Sequence, residues 1–139
     1  MADGAMTKAE REAFLAEVHV GVLAVDEPGR GPLNVPIWYL VDGEEIVIAI
    51  SPGSVKERLL SAAGRATMTI QTETPPYKYA SIEGPVTIGP AALDRLELAT
   101  RYLGPELGQW YVDSTAGEEL VEVRLRPEHW RTHDFAKAL

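Results

Sequence analysis

The chain contains no cysteine, so it has neither disulfides nor thiolate metal ligands. It is short of positive charge: 13 Lys and Arg stand against 21 Asp and Glu, for a net charge of −8. That balance argues against general nucleic-acid binding, which needs a basic stripe to release counterions. No apolar run approaches the length of a membrane span, and no charged n-region followed by an apolar h-region opens the sequence. A cytoplasmic protein that binds neither membrane nor nucleic acid is the simplest expectation. Aromatic residues make up only 7%, so each cluster of them carries weight.

What remains is ordinary for one globular domain: 139 residues, of which 45% are hydrophobic and 24% charged. A chain of this size buries roughly two thirds of its unfolded surface. The whole of 1–139 reads as a single domain, with residues 1–6 as a loose leader and Met6 as a possible second start.

Thr7-Lys8-Ala9-Glu10 has the form of a capping box, and the apolar spacing behind it predicts a helix to about Glu17. HVGVLAV, residues 19–25, predicts a first strand, and the Pro and Gly of 27–32 a turn. Strands follow over 33–40 and 45–50, joined by a hairpin at 41–44. A short helix to about Ala63 comes next. Then RATMTIQ alternates, with Ala66, Met68 and Ile70 on one face. Residues 77–88 form a long strand in which Gly84-Pro85 marks a kink or an edge. Pro90 opens a helix to about Tyr102, residues 104–115 read as irregular, 119–125 alternate again, and 129–133 extend the sheet. The sum is a mainly β, α+β fold. It is a small closed or half-closed barrel of six or seven mostly antiparallel strands with about three helices at its rim.

The most informative stretch is SPGSVKERLL, residues 51–60, where a strand ends, a tight turn follows and a helix begins. A helix start offers unpaired N–H groups and the positive end of its dipole, and Lys56 and Arg58 add full charges, so the corner suits an anion. A plainer reading stands beside it. Ser54-Val55-Lys56-Glu57 is a capping box, and Glu57 competes with an anion for the same amides. The glycine series of a P-loop or a dinucleotide fingerprint is missing, as is a Gly-x-Ser-x-Gly elbow. His129 and His133 on a strand lie roughly 13 Å apart, too far to share one metal ion, so no metal site is expected. Tyr77 and Tyr79 share a strand face just after Pro75-Pro76, a surface that flat ligands favour.

In their order, LNVPIWYLV, EIVIAI, SPGSVKERLL, RATMTIQ and PPYKYASIEGPVTI resemble the split β-barrel flavin and deazaflavin oxidoreductases, the pyridoxamine-phosphate-oxidase-like proteins. The resemblance covers roughly residues 7–130 and is greatest to the actinobacterial branch that uses the deazaflavin coenzyme F420. It implies a homodimer with cofactor sites at the interface and a small-molecule substrate. It assigns Ser51, Ser54, Lys56 and Arg58 to the cofactor phosphate, and Val35, Pro36, Ile37 and Trp38 to the ring system. Tyr77, Lys78 and Tyr79 would often come from the neighbouring subunit. Close relatives often carry a further basic residue where Ser54 stands here. Lys78 or Arg65 would reach the acidic tail that distinguishes F420 from FMN. The implied activity is hydride transfer between reduced deazaflavin and a small electron-poor organic substrate. The alternatives are an FMN flavoprotein of the same fold, or a protein that only binds a cofactor or tetrapyrrole. The sequence singles out no catalytic acid; Tyr39, Tyr79 and solvent are the candidate proton donors.

Overall fold

The computed structural model describes residues 4–138. Helix α1 (Lys8–Ala16) is followed by strands β1 (Gly21–Val25), β2 (Leu33–Ile37), β3 (Leu40–Asp42) and β4 (Glu45–Ile50). Helix α2 (Val55–Ala63), strands β5 (Arg65–Gln71) and β6 (Lys78–Pro90) and helix α3 (Arg95–Ser114) come next. Strands β7 (Val121–Leu125) and β8 (His129–Asp134) and a 3-10 turn over Phe135–Ala138 complete the order. All pairings are antiparallel, in the order β2-β1-β5-β6-β7-β4-β3, with β8 added to β6.

Strand β6 makes the barrel split. Its first part lies between β5 and β8, and from Val86 onward it pairs with β7 instead. The change of partner falls at Gly84-Pro85, where the sequence marks a kink. A side chain at Gly84 would put its Cβ 1.9 Å from the Arg126 carbonyl, and the Arg126 amide donates to the Pro85 carbonyl at 3.0 Å. Only glycine admits so close a backbone crossing.

The alternation of β5 places Ala66, Met68 and Ile70 inside, as the sequence predicts. They pack with Leu23, Ile46, Ile48, Leu60, Ile82 and Val123, all nearly inaccessible. Each such aliphatic side chain contributes about 1.5–3 kcal/mol on burial, so this layer dominates the stability. Thr7 caps α1 in the full reciprocal box with Glu10.

Four expectations are corrected. Residues 104–115 are not irregular. Gly104 (φ 82, ψ 171) and Pro105 kink α3, and a second helical stretch carries it to Ser114. Helix α3 does not open at Pro90, which ends β6; its N-cap is Asp94, whose carboxylate accepts from the amides of Leu96 and Glu97. Residues 33–40 are not one strand, because the chain breaks at Trp38-Tyr39, which raises the count to eight. Residues 4–6 are not loose: Met6 is buried, its amide donates to Thr132 Oγ1, and the Gly4 carbonyl accepts from the Asp134 amide. Residues 1–3 of the expected leader lie outside the described residues.

Candidate functional site

The corner after β4 is built by local chemistry. The Ser54 amide donates to the Ser51 carbonyl at 3.3 Å across Pro52-Gly53, and Gly53 has φ 73. Proline second and glycine third are what a type II turn requires. Ser54 then caps α2 by accepting from the Glu57 amide at 3.2 Å. The reciprocal half of the box goes one residue further back: the Glu57 carboxylate accepts from the Gly53 amide. Glu57 therefore leaves the first-turn amides of Val55 and Lys56 without an acceptor among the described residues. Lys56 is half-buried and Arg58 exposed, and neither pairs with a described carboxylate. Two free amides and two uncommitted cations meet the requirements for an anion.

A cleft of about 380 Å³ is lined by Pro36, Ile37 and Trp38 at the end of β2, by Arg95, Leu98, Tyr111 and Val112 of α3, and by Glu118. Ala49, two residues before Ser51, also lines the cleft, whereas Ser51, Ser54, Lys56 and Arg58 do not. Trp38 is stacked on Tyr102 at 4.9 Å and tilted against Tyr111 at 5.6 Å. The volume is in the range of small-ligand pockets, and the wall is mostly apolar with the Trp38 and Tyr111 rings on it. Val35 lies one step deeper on β2, opposite Leu23, against the core.

Tyr77, Lys78 and Tyr79 sit elsewhere. A single row of paired residues, Ile37, Gly21, Ile70 and Ala80, crosses the sheet from the end of β2 to the start of β6. The two groups therefore share one end of the barrel but stand three strands apart, roughly 14 Å at strand spacing. The Lys78 ammonium lies 5.7 Å over the Phe14 ring, away from Lys56. Tyr77 and Tyr79 are exposed, and Tyr79 stacks on His133, which in turn meets exposed Phe135.

Two candidates fail on chemistry. Tyr39 has no accessible surface and its hydroxyl donates to the Leu15 carbonyl at 3.0 Å. Burial pushes its pKa up to about 12, so it is no proton donor to a ligand. Arg65 is held by Glu83 at 2.8 and 3.0 Å and by Glu128 at 2.6 Å, so two carboxylates already offset its charge and only Nη1 is without a described partner for an acidic tail. Among the described residues, no group of three or more His, Asp or Glu is placed to hold a metal ion, and no helix is long and apolar enough to cross a membrane.

The sequence reading missed α3's contribution. Tyr111 was visible only inside a stretch taken as irregular, because Gly104-Pro105 reads as a helix stop. Its spacing from Leu107 and Trp110 was the available signal.

A split barrel with an anion corner and a largely apolar cleft defines a class of cofactor-binding folds. Residues 7–134 match the family model for pyridoxamine 5'-phosphate oxidase, and the chain belongs to that family. No curated protein matches it. Among solved structures it is similar to the conserved hypothetical protein Rv2991 from Mycobacterium tuberculosis (25% identity, 99% of this chain and 91% of the other, TM-score 0.81). It is also similar in fold to an F420 reductase (24%, 86% and 94%, TM-score 0.67) and to a FAD-binding protein from Mesorhizobium loti (18%, 91% and 94%, TM-score 0.65).

Proposed function

We propose that this protein is an F420-dependent reductase, which binds reduced deazaflavin and passes hydride to a small electron-poor organic substrate. The observation that carries the reading is the corner itself: Lys56 and Arg58 meet no described carboxylate and two first-turn amides have no described acceptor, while Ala49 of the strand leading into the corner lines a largely apolar cleft of about 380 Å³. Such a corner suits the cofactor's phosphate, and the backbone of Pro36 to Trp38 suits one edge of its ring. Reduced deazaflavin supplies the hydride when bound. The chain's own residues hold the phosphate, orient the ring against β2 and keep water out with Trp38, Tyr102 and Tyr111. With Tyr39 sealed in the core, the candidate proton donors are Tyr79 and solvent.

The protein acts as a homodimer. In one chain Tyr77, Tyr79 and Phe135 are exposed, and an apolar surface of this kind is a natural partner wall. In the dimer Tyr77, Lys78 and Tyr79 of one subunit complete the site of the other.

FMN in the same pocket is the second reading. One observation favours it: Arg65 is already paired with two carboxylates, Glu83 and Glu128, so fewer free cations remain for the acidic tail of F420. Titration with both cofactors separates the two.

A further inference from the structure

A second cavity, of about 350 Å³, opens on the far side of the barrel between α1, the β3–β4 hairpin and the segment before β8. Leu15, Val41, Pro127 and Trp130 give it an apolar wall, and Lys8, Arg11, Glu12, Glu44 and Arg126 line it with charge. Lys8, Arg11, Glu12 and Leu15 stand at helical spacing, so α1 turns one continuous face to it. The cations differ in their commitments. Lys8 bridges Glu12 at 3.8 Å and Glu44 at 3.6 Å, and Arg126 pairs with Glu128 at 3.3 Å. Arg11 pairs with no carboxylate among the described residues, although Glu12 is its neighbour in sequence. Its guanidinium lies 4.4 Å over the Trp130 ring, and its Nε is buried with no hydrogen-bond partner.

Stacking on an indole fixes the plane of a guanidinium, and the Nη1–Nη2 edge of Arg11, which makes no hydrogen bond to a described residue, can take a carboxylate with two parallel bonds. We propose that this cavity is a binding site for a small carboxylate with an apolar body, the carboxylate on Arg11 and the body on Leu15, Val41 and Trp130. The site is separate from the cofactor corner and does not depend on the cofactor reading. Glu44 stands just before β4 and Ser51 just after it, so the two sites are roughly 20 Å apart at strand rise. At that distance the occupant does not meet the cofactor, and binding is the readout.

Calorimetric titration of the full chain with benzoate, cyclohexanecarboxylate, benzamide and inorganic phosphate tests the proposal. Both carboxylates should bind saturably, with benzamide and phosphate each about tenfold weaker or more, the first lacking the charge and the second the apolar body. Arg11→Gln should weaken benzoate by about tenfold or more with helix content unchanged. Val41→Glu, at an exposed position on the cavity wall, should do the same by placing a like charge beside the carboxylate, and serves if Arg11→Gln folds poorly. Benzamide or phosphate binding as well as benzoate, carboxylate affinity retained in the variants, or no saturable carboxylate binding in the millimolar range would overturn it.

Discussion

Tyr102 lies flat on Trp38, the rings 4.9 Å apart and 5° from parallel, while its hydroxyl accepts from the Tyr39 amide at 3.1 Å and donates to the His19 carbonyl at 2.8 Å. One side chain thus pins α3 to both ends of the chain break that positions Trp38. Tyr102→Phe keeps the stacking but leaves the Tyr39 amide without that acceptor in a part-buried setting. The expected cost is about 1–3 kcal/mol in urea unfolding, with an unchanged m-value. A variant as stable as the parent would mean that the hydroxyl contributes nothing to holding the wall.

Lys56→Ala should weaken binding of a phosphate-bearing cofactor about ten- to hundredfold, the equivalent of about 1.5–3 kcal/mol for a charge-assisted contact. Lys56 makes no described ion pair and alanine is a good helix former, so the melting temperature should not fall. Unaltered affinity in this variant would reduce the corner to a capped surface helix.

The proposed homodimer predicts sedimentation as a species of about 30 kDa, twice the 15.2 kDa chain. Tyr79→Ser should shift it toward monomer and weaken cofactor binding in parallel. A monomer at micromolar concentration, with cofactor affinity intact, would place Tyr77 to Tyr79 outside the site.

Acid should unfold the protein over a defined range. The Lys137 ammonium, bonded to Glu10 at 2.6 Å, holds that carboxyl down from 4.5 to about 2. Arg65 lowers Glu83 and Glu128. Burial raises Glu122, but its bonds to Arg124 and the Ala92 amide outweigh this and leave it lowered. Folded values below unfolded ones mean that this stability is complete above about pH 4.5 and is lost as pH falls, for Glu10 through about 2. Thermal melts should be level from neutral pH down to about pH 5 and then fall steeply. A level profile to about pH 3 would show that these pairs do not contribute.

Much of this was legible in the sequence, and the rest was not for physical reasons. Strand β5 could be read directly because one face is buried and the other wet, so period-2 alternation survives. The Gly84-Pro85 kink was legible because few residues tolerate such a crossing. The second half of α3 was hidden by Gly104-Pro105, whose local signal is a stop although the chain resumes its helix after one residue. The break at Trp38-Tyr39 was hidden for the opposite reason: both residues favour strand, and tertiary packing under Tyr102 overrides that preference. The state of a charge cannot be read along the chain at all. Arg65 and Arg11 look equally available in sequence, yet two distant acids occupy the first and none of the described acids meets the second.

The central claim is that the Lys56 corner and the Trp38 cleft bind a deazaflavin. Fluorescence titration of the purified protein with F420 and FMN, at low and high salt, tests it most directly. The account predicts that F420 binds at least about tenfold more tightly, or roughly 1.4 kcal/mol, and that its affinity falls as salt rises. Tighter binding of FMN, or an F420 affinity indifferent to salt, would contradict it.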